Sequence, residues 1–284
     1  MKYLLLLLLV AGQYANAQNV EPFQLYNKKG KKISVNKFFK QIESSEIILF
    51  GELHDNPIAH WLQLKTTQKM HSKHNISLGA EMLEANNQKE VNAYISGEIS
   101  QKHLDSVASL WINYKTDYKP LVDFAKENNL SFIATNVPRK FASQVYRNGL
   151  ESLETELTDE EKSCVAPLPI AYDPELPGYK SMLTLMSDHA NPNFPKAQAI
   201  KDATMAHFIY EEYQSNKNQF IHFNGDYHSK NFEGIYWYLK RKDNTLNIIT
   251  ISTVEQSNVS KLEDEFKGQA DYILVIDKEM TKTY

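Results

Sequence analysis

The sequence predicts an α/β fold: a mainly parallel sheet flanked by helices, with a smaller helical excursion or lid. Three observations predict it. Short apolar runs recur along the chain with helical stretches between them, the pattern of parallel strands joined by crossover helices. Two of those runs end alike, near Phe50 and near Thr135, in buried strand, then Asn, then Pro, then helix. Finally, successive runs end in polar, chemically capable residues, as open α/β sheets do where they place their sites.

The chain has 284 residues and is 42% hydrophobic, enough for one large domain. The first 17 residues read as a secretory signal peptide: Lys2, an apolar run from Tyr3 to Ala11, then Ala15-Asn16-Ala17. The run is too short to span a bilayer. Residue 13 is Gln where a lipoprotein signal needs Cys, so no lipid anchor is expected there. The expected product is one domain over 18–284, exported and soluble, periplasmic or extracellular. Its formal charge moves from −4 to −5 with the loss of Lys2, which implies no attraction to nucleic acid. Cys164 stands alone, which excludes an intrachain disulfide, a Cys-rich zinc site and a C-x-x-C-H haem attachment.

Taken in order, residues 18–45 read as a polar lead-in with a small hairpin around Lys29-Gly30. Ile47 to Phe50 is a buried strand that stops at Gly51. Asn56 caps the next helix and Pro57 suits its first position, where the missing N–H would be unpaired anyway. Ile58, Trp61, Leu62 and Met70 carry that helix to about His74. Ile76 to Ala80 is a second strand, ending in Glu81. Residues 85–118 form a helical excursion, and a helix opened by Pro120 ends at Asn128-Asn129. Leu130 to Thr135 is the third strand, and Gly149 closes the helix after it. Residues 151–195, rich in Glu, Pro and Tyr, form a second excursion. A long helix from Lys196 to Ser215 leads to the strand Phe220–Phe223, a helix over Phe232–Arg241, and strands at Asn247–Ile251 and Tyr272–Ile276.

The polar strand ends are Glu52 and His54, Glu81, Asn136 and Arg139, and Asp226 and His228. In a parallel sheet they share one edge. A single strand-end His is more often a turn residue, but two histidines, two glutamates and an arginine converging make a site. Imidazole is both the commonest metal ligand and the usual acid or base near neutral pH, so His54 and His228 are candidate metal ligands. Glu52 and Glu81 suit a metal shell, an orienting role or a general base. Arg139, in the first turn of a helix, suits an anion or a salt bridge to Glu81. Gln198, Asp202 and Met205 share one face of the long helix, and an inward Asp202 needs a partner, Arg139 or a histidine. Tyr114, Tyr118, Tyr172 and Tyr179 fall in the two excursions, and Met82, Met182 and Met186 suit an apolar pocket or ordinary packing.

These residues resemble a known family. Ile47 to Pro57, Gly79 to Leu83, Tyr118 to Ala125, Asn136 to Arg139, Gln198 with Asp202 and Met205-Ala206, and Gly225 with His228 occur in the order found in the ChaN-like haem-binding uptake proteins. That family is similar to a superfamily that includes the Tiki proteases, TraB and the erythromycin esterases. The resemblance implies a parallel α/β core, haem as cofactor, a role in bacterial iron acquisition, a homodimer through haem and a link to outer-membrane uptake machinery. It implies a tyrosine on the iron, aided by a histidine, which leaves Tyr114, Tyr118, Tyr172 and Tyr179, with Asp202, as the haem-pocket candidates. The strand-end set resembles the metal site of the Tiki branch. Two readings therefore stand: an exported haem carrier, or a metal-dependent hydrolase with Glu52, Glu81 and Arg139 as catalytic residues and His54 and His228 as ligands.

Overall fold

The computed structural model describes residues 21–185 and 191–284; the expected signal peptide and Met186 lie outside them. Eight strands form one sheet: β1 (Phe23–Asn27), β2 (Lys32–Ile33), β3 (Ile47–Glu52), β4 (Ile76–Glu84), β5 (Phe132–Asn136), β6 (Gln219–Gly225), β7 (Ile248–Gln256) and β8 (Tyr272–Asp277). Their order is β2-β1-β8-β7-β3-β6-β4-β5. The six strands from β8 to β5 run parallel, and β1 and β2 add an antiparallel edge. The sheet is therefore α/β as its alternating pattern predicts.

The helices are α1 (Val35–Ile42), α2 (Pro57–His71), α3 (Gln88–Ile95), α4 (Gln101–Val107), α5 (Lys119–Glu127), α6 (Arg139–Asn148), α7 (Glu151–Glu156), α8 (Asp159–Lys162), α9 (Pro177–Leu185), α10 (Phe194–Asn216) and α11 (Ile235–Lys242). The cap at Asn56 forms as its sequence predicts: its side chain accepts from the N–H groups of Ile58 and Ala59. Helix α1 interrupts the stretch read as a polar lead-in; Ser34 caps it, and Phe38 and Ile42 bury one face. Both excursions are helical, the first holding α3 and α4 and the second α7 to α9.

The two faces of the sheet matter for the site. Successive strand residues point to opposite faces. In β3, Ile48 and Phe50 enter the larger core with Leu62, Tyr118 and Leu121 of the α2 and α5 side. Ile47 and Leu49 enter the other core with Met205, Ile209 and Leu239 of α10 and α11. Glu52 continues the Phe50 face. On β4, Ala80 joins the α2 and α5 side, so Glu81 is turned toward α10. One difference from the sequence reading concerns β4, which does not stop at Glu81 but runs to Glu84, with a register shift against β5 between Ala80 and Glu84. Such an irregularity re-aims a side chain at a strand end.

Candidate functional site

Glu52, Glu81 and His228 meet where β3, β6 and β4 end side by side, with Glu52 in register with Gly225. The face rule splits them into two networks, one on each side of the sheet.

The first network surrounds Glu52, which is 2% exposed. Its Oε1 accepts from His54 Nδ1 at 2.9 Å and from the Tyr118 hydroxyl; its Oε2 accepts from the Gln63 amide. The His60 ring lies between Gln63 Oε1, at 3.0 Å, and the His54 carbonyl, at 2.9 Å. Asn113 donates to the same carbonyl at 2.8 Å and to Asp117 at 2.7 Å. The backbone and ring of His54 are thus both fixed. Trp111 meets the ring edge-on, with centroids 4.8 Å apart. Burial pushes the Glu52 carboxyl up, but His60, His54 and the Tyr118 hydrogen bond outweigh it and hold it below its usual range. Burial disfavours charge on His54, but Glu52 and Glu81 overcome it and raise the imidazole.

The second network surrounds His228. Its Nε2 lies 3.1 Å from Glu81 Oε1, and its Nδ1 lies 2.5 Å from Asp202 Oδ1 and 2.9 Å from the Gln198 amide. Glu81 Oε2 accepts the Gly225 N–H at 2.8 Å, and Asp202 Oδ2 accepts the Tyr179 hydroxyl at 2.8 Å. Asp202 thus faces the sheet and takes a histidine as its partner. Burial works against an imidazolium, yet Glu81 and Asp202 dominate and lift His228 to about 9. Glu81 feels burial in the opposite sense, and the same pairing holds its carboxyl far below the usual range. Asp202 stays raised, because burial outweighs its partners.

Between the networks opens a cavity of about 690 Å³, within the ~300–1,000 Å³ of small-molecule sites. Leu53, Met182, Phe194 and Tyr227 give it apolar wall, and Lys201 and Lys230 bring positive charge. His54, its side chain 38% exposed, lines this cavity, and its Nε2 has no hydrogen-bond partner among the described residues. Gly225 leaves the space at that nitrogen: a Cβ there would lie 2.8 Å from His54 Nε2.

The structure does not gather every candidate. Arg139 is exposed at the start of α6 and lines a second cavity, of about 660 Å³, with Glu84. Its N–H and charge act on Glu84, not on Glu81. Strand β4 reaches Glu84 only because it runs past the expected stop. Among the four tyrosines none lines the large cavity. Tyr118 and Tyr179 are buried donors to Glu52 and Asp202, and burial with those carboxylates drives both phenols far up, away from phenolate. Tyr114 is buried in the excursion core, and Tyr172 stacks on Tyr179 at 5.8 Å. Met82 is core, whereas Met182 reaches the cavity. Nor do His54, His228, Glu52 and Glu81 form a chelate: among the described residues no three His, Cys, Asp or Glu side chains are grouped to hold a metal. Three of the four imidazole nitrogens already face carboxylates.

Sequence reasoning missed His60, Gln63, Asn113 and Asp117. One signal was available. The buried face of α2 carries His60, Gln63, Thr66 and Thr67 among its apolar residues, and polar groups on a buried helix face require partners.

An open α/β sheet with a ligand-sized cavity at its carboxyl edge defines the class as a binding or catalytic cleft of the switch-point type. Comparison with known proteins gives the family. The family model for haem-binding uptake proteins, Tiki superfamily, ChaN, matches residues 38–239, so the chain belongs to that family. Among solved structures it is similar to a ChaN of Campylobacter jejuni that binds haem cofacially, at 16% identity and a TM-score of 0.67, over 90% of this chain and 97% of that one. A succinoglycan biosynthesis protein is similar at 11% identity and a TM-score of 0.54, over 90% and 94%. The type III effector HopBA1 is similar at 11% and 0.51, over 86% and 93%. At these identities the likeness is one of fold. No curated protein sequence matches the chain. Among the described residues no helix is long and apolar enough to cross a membrane.

Proposed function

We propose that this protein binds haem in the cavity at the ends of β3, β4 and β6, as an exported carrier that stores or relays haem in bacterial iron acquisition. One observation carries the reading: in a chain of the haem-uptake family, an imidazole with a free Nε2 faces a cavity with apolar walls, and its other nitrogen is fixed by a buried carboxylate. Haem ligation by histidine needs that arrangement, since the second ring nitrogen sets tautomer and orientation. Porphyrin faces suit Leu53, Met182, Phe194 and Tyr227, and propionates suit Lys201 and Lys230. His54 is the residue that would hold the iron; His228, with both nitrogens engaged, is not. In this reading the tyrosine role implied by the family resemblance falls to none of Tyr114, Tyr118, Tyr172 and Tyr179. A homodimer joined through haem, and hand-over to outer-membrane uptake machinery, belong to the same proposal.

Haemin titration tests it. The wild-type protein should shift the Soret band and saturate. His54→Ala should weaken binding at least about tenfold, about 1.4 kcal/mol, and change the spectrum of what remains bound. A flat titration of the wild type would sink the proposal.

A further inference from the structure

The second cavity, of about 660 Å³, has walls of three chemical kinds, and Tyr284 lines both it and the cavity beside His54. Asn113 supplies an acceptor. It is 4% exposed, and its side-chain nitrogen donates to the His54 carbonyl at 2.8 Å and to Asp117 at 2.7 Å. Both partners only accept, which fixes the nitrogen on their side and Oδ1 on the other. Oδ1 has no donor among the described residues, and a buried amide oxygen left so is costly. Glu84 and Arg139 supply opposite charges side by side. Burial raises the Glu84 carboxyl against the pull of the Arg139 N–H and guanidinium, so the cation beside it does not make up for its lost water. Neither residue is in a salt bridge among the described residues. The Arg139 side chain is exposed at the first turn of α6, where the helix dipole favours an anion. Apolar surface is the third kind: Leu110 and half-buried Trp111 line the cavity, as does Ile112, which is 86% exposed.

We propose that this cavity binds a free α-amino acid with a large apolar side chain. Such a molecule carries its ammonium and its carboxylate on one carbon, which matches an acid and a base held next to each other. Arg139 takes the carboxylate, by the fit of a guanidinium fork to two oxygens. Glu84 and Asn113 Oδ1 accept from the ammonium, which brings the glutamate a further cation and the amide oxygen its donor. The apolar side chain lies along Leu110 and Trp111 and covers Ile112. A simple anion would leave Glu84 and Asn113 unanswered, and a wholly apolar ligand would bury all three polar groups without partners. The site needs nothing from the haem reading, and either can fail without the other.

Isothermal titration calorimetry with L-phenylalanine tests it, and fluorescence places the ligand, because Trp111 is the one of the chain's three tryptophans that lines this cavity. The wild type should bind L-phenylalanine saturably with a change in emission that is lost in Trp111→Phe. N-acetyl-L-phenylalanine lacks the cation and L-phenylalaninamide lacks the anion, and each should bind at least about tenfold more weakly. Arg139→Gln should weaken L-phenylalanine by about the same factor and leave the amide unaffected. Glu84→Gln should weaken L-phenylalanine and leave the acetylated form unaffected. Should Glu84→Gln not fold, Arg139→Gln, at an exposed position, decides alone. No binding of L-phenylalanine by the wild type, equal binding of the three ligands, equal affinity in Arg139→Gln, or an emission change that persists in Trp111→Phe overturns the proposal.

Discussion

Two histidines stand at neighbouring strand ends, each against a buried glutamate, and the fold uses them in opposite ways. His54 lines a cavity with a side chain 38% exposed, and its Nε2 is in no hydrogen bond among the described residues. His228 is 5% exposed, and both its nitrogens are taken by Glu81, Asp202 and Gln198. The cause is local. Glu52 faces the α2 and α5 side, where Gln63 of α2 and Tyr118, just before α5, hold the glutamate and leave Nε2 of the His54 ring without a hydrogen bond among the described residues. Glu81 faces α10, which brings Asp202 and Gln198 to close the second ring from behind. What the contrast teaches is that a strand-end histidine becomes a ligand group only when its second nitrogen is left out of the network.

The largest effect that could break the contrast is on stability. His228→Ala leaves Glu81 and Asp202 as buried carboxylates without their cation. Breaking a buried pair in this way costs about 3–5 kcal/mol, and in a domain of this size the melting temperature should fall by on the order of 10 °C. His54→Ala removes one partner of a glutamate that keeps Tyr118 and Gln63, and should cost about 1 kcal/mol. Thermal melts of both variants check it. Equal losses would mean that His54 too is a structural group.

The next effect is pH dependence. His228 is raised to about 9. A histidine raised on folding contributes stability that is fully present below its unfolded pKa, near 6.5, and is lost as pH rises through the folded value. Between about 6.5 and 9 the protein should therefore lose about 3 kcal/mol from this group. Denaturant unfolding at intervals across that window measures the slope. In His228→Ala the slope should largely vanish. A wild-type protein equally stable at both ends would show that the imidazolium is not held as the geometry indicates.

How much of this was legible beforehand differs between fold and site. The α/β class follows from apolar runs alternating with helices, and the cap at Asn56-Pro57 was readable residue by residue. The convergence of Glu52, His54, Glu81 and His228 follows from parallel strands sharing an edge. Which face each side chain takes was not legible, because strand parity is set by register, and β4 shifts register beside Glu81. Arg139 illustrates the cost: its partner became Glu84, three residues past the expected strand end. Asn113 and Asp117 come from an excursion distant in sequence from His54, and no local pattern links them to it, whereas His60 and Gln63 follow the strand end closely and were signalled only by the polar residues on the buried face of α2. The tyrosines were visible as a count, but their burial against carboxylates was not.

Gly225 offers a sharper test of the open nitrogen, with a smaller effect. A methyl group there would meet His54 Nε2 and Cε1 at 2.8 Å. The ring is the movable end of a side chain, so Gly225→Ala should leave the fold intact and displace His54 from its cavity position. Haemin affinity should fall about tenfold with a melting temperature near that of the wild type. Undiminished affinity would place the haem away from His54.

The smallest expected effect concerns the rim. Lys201 and Lys230 line the cavity on the side of α10 and of the loop after β6. Lys230 is already partly engaged, 4.0 Å from Asp226 and over the Tyr227 ring at 4.7 Å, whereas Lys201 is in no ion pair among the described residues. Lys201 should therefore contribute more to a propionate. Exposed ion pairs are worth about 0.2–1 kcal/mol, so Lys201→Gln should weaken haemin binding by up to about fivefold and flatten its salt dependence, and Lys230→Gln should do so less. Binding to the dimethyl ester of haemin, which lacks the carboxylates, should then be insensitive to both substitutions. If Lys201→Gln weakens the ester as much as the free acid, the lysine shapes the cavity and does not read the charge of its ligand.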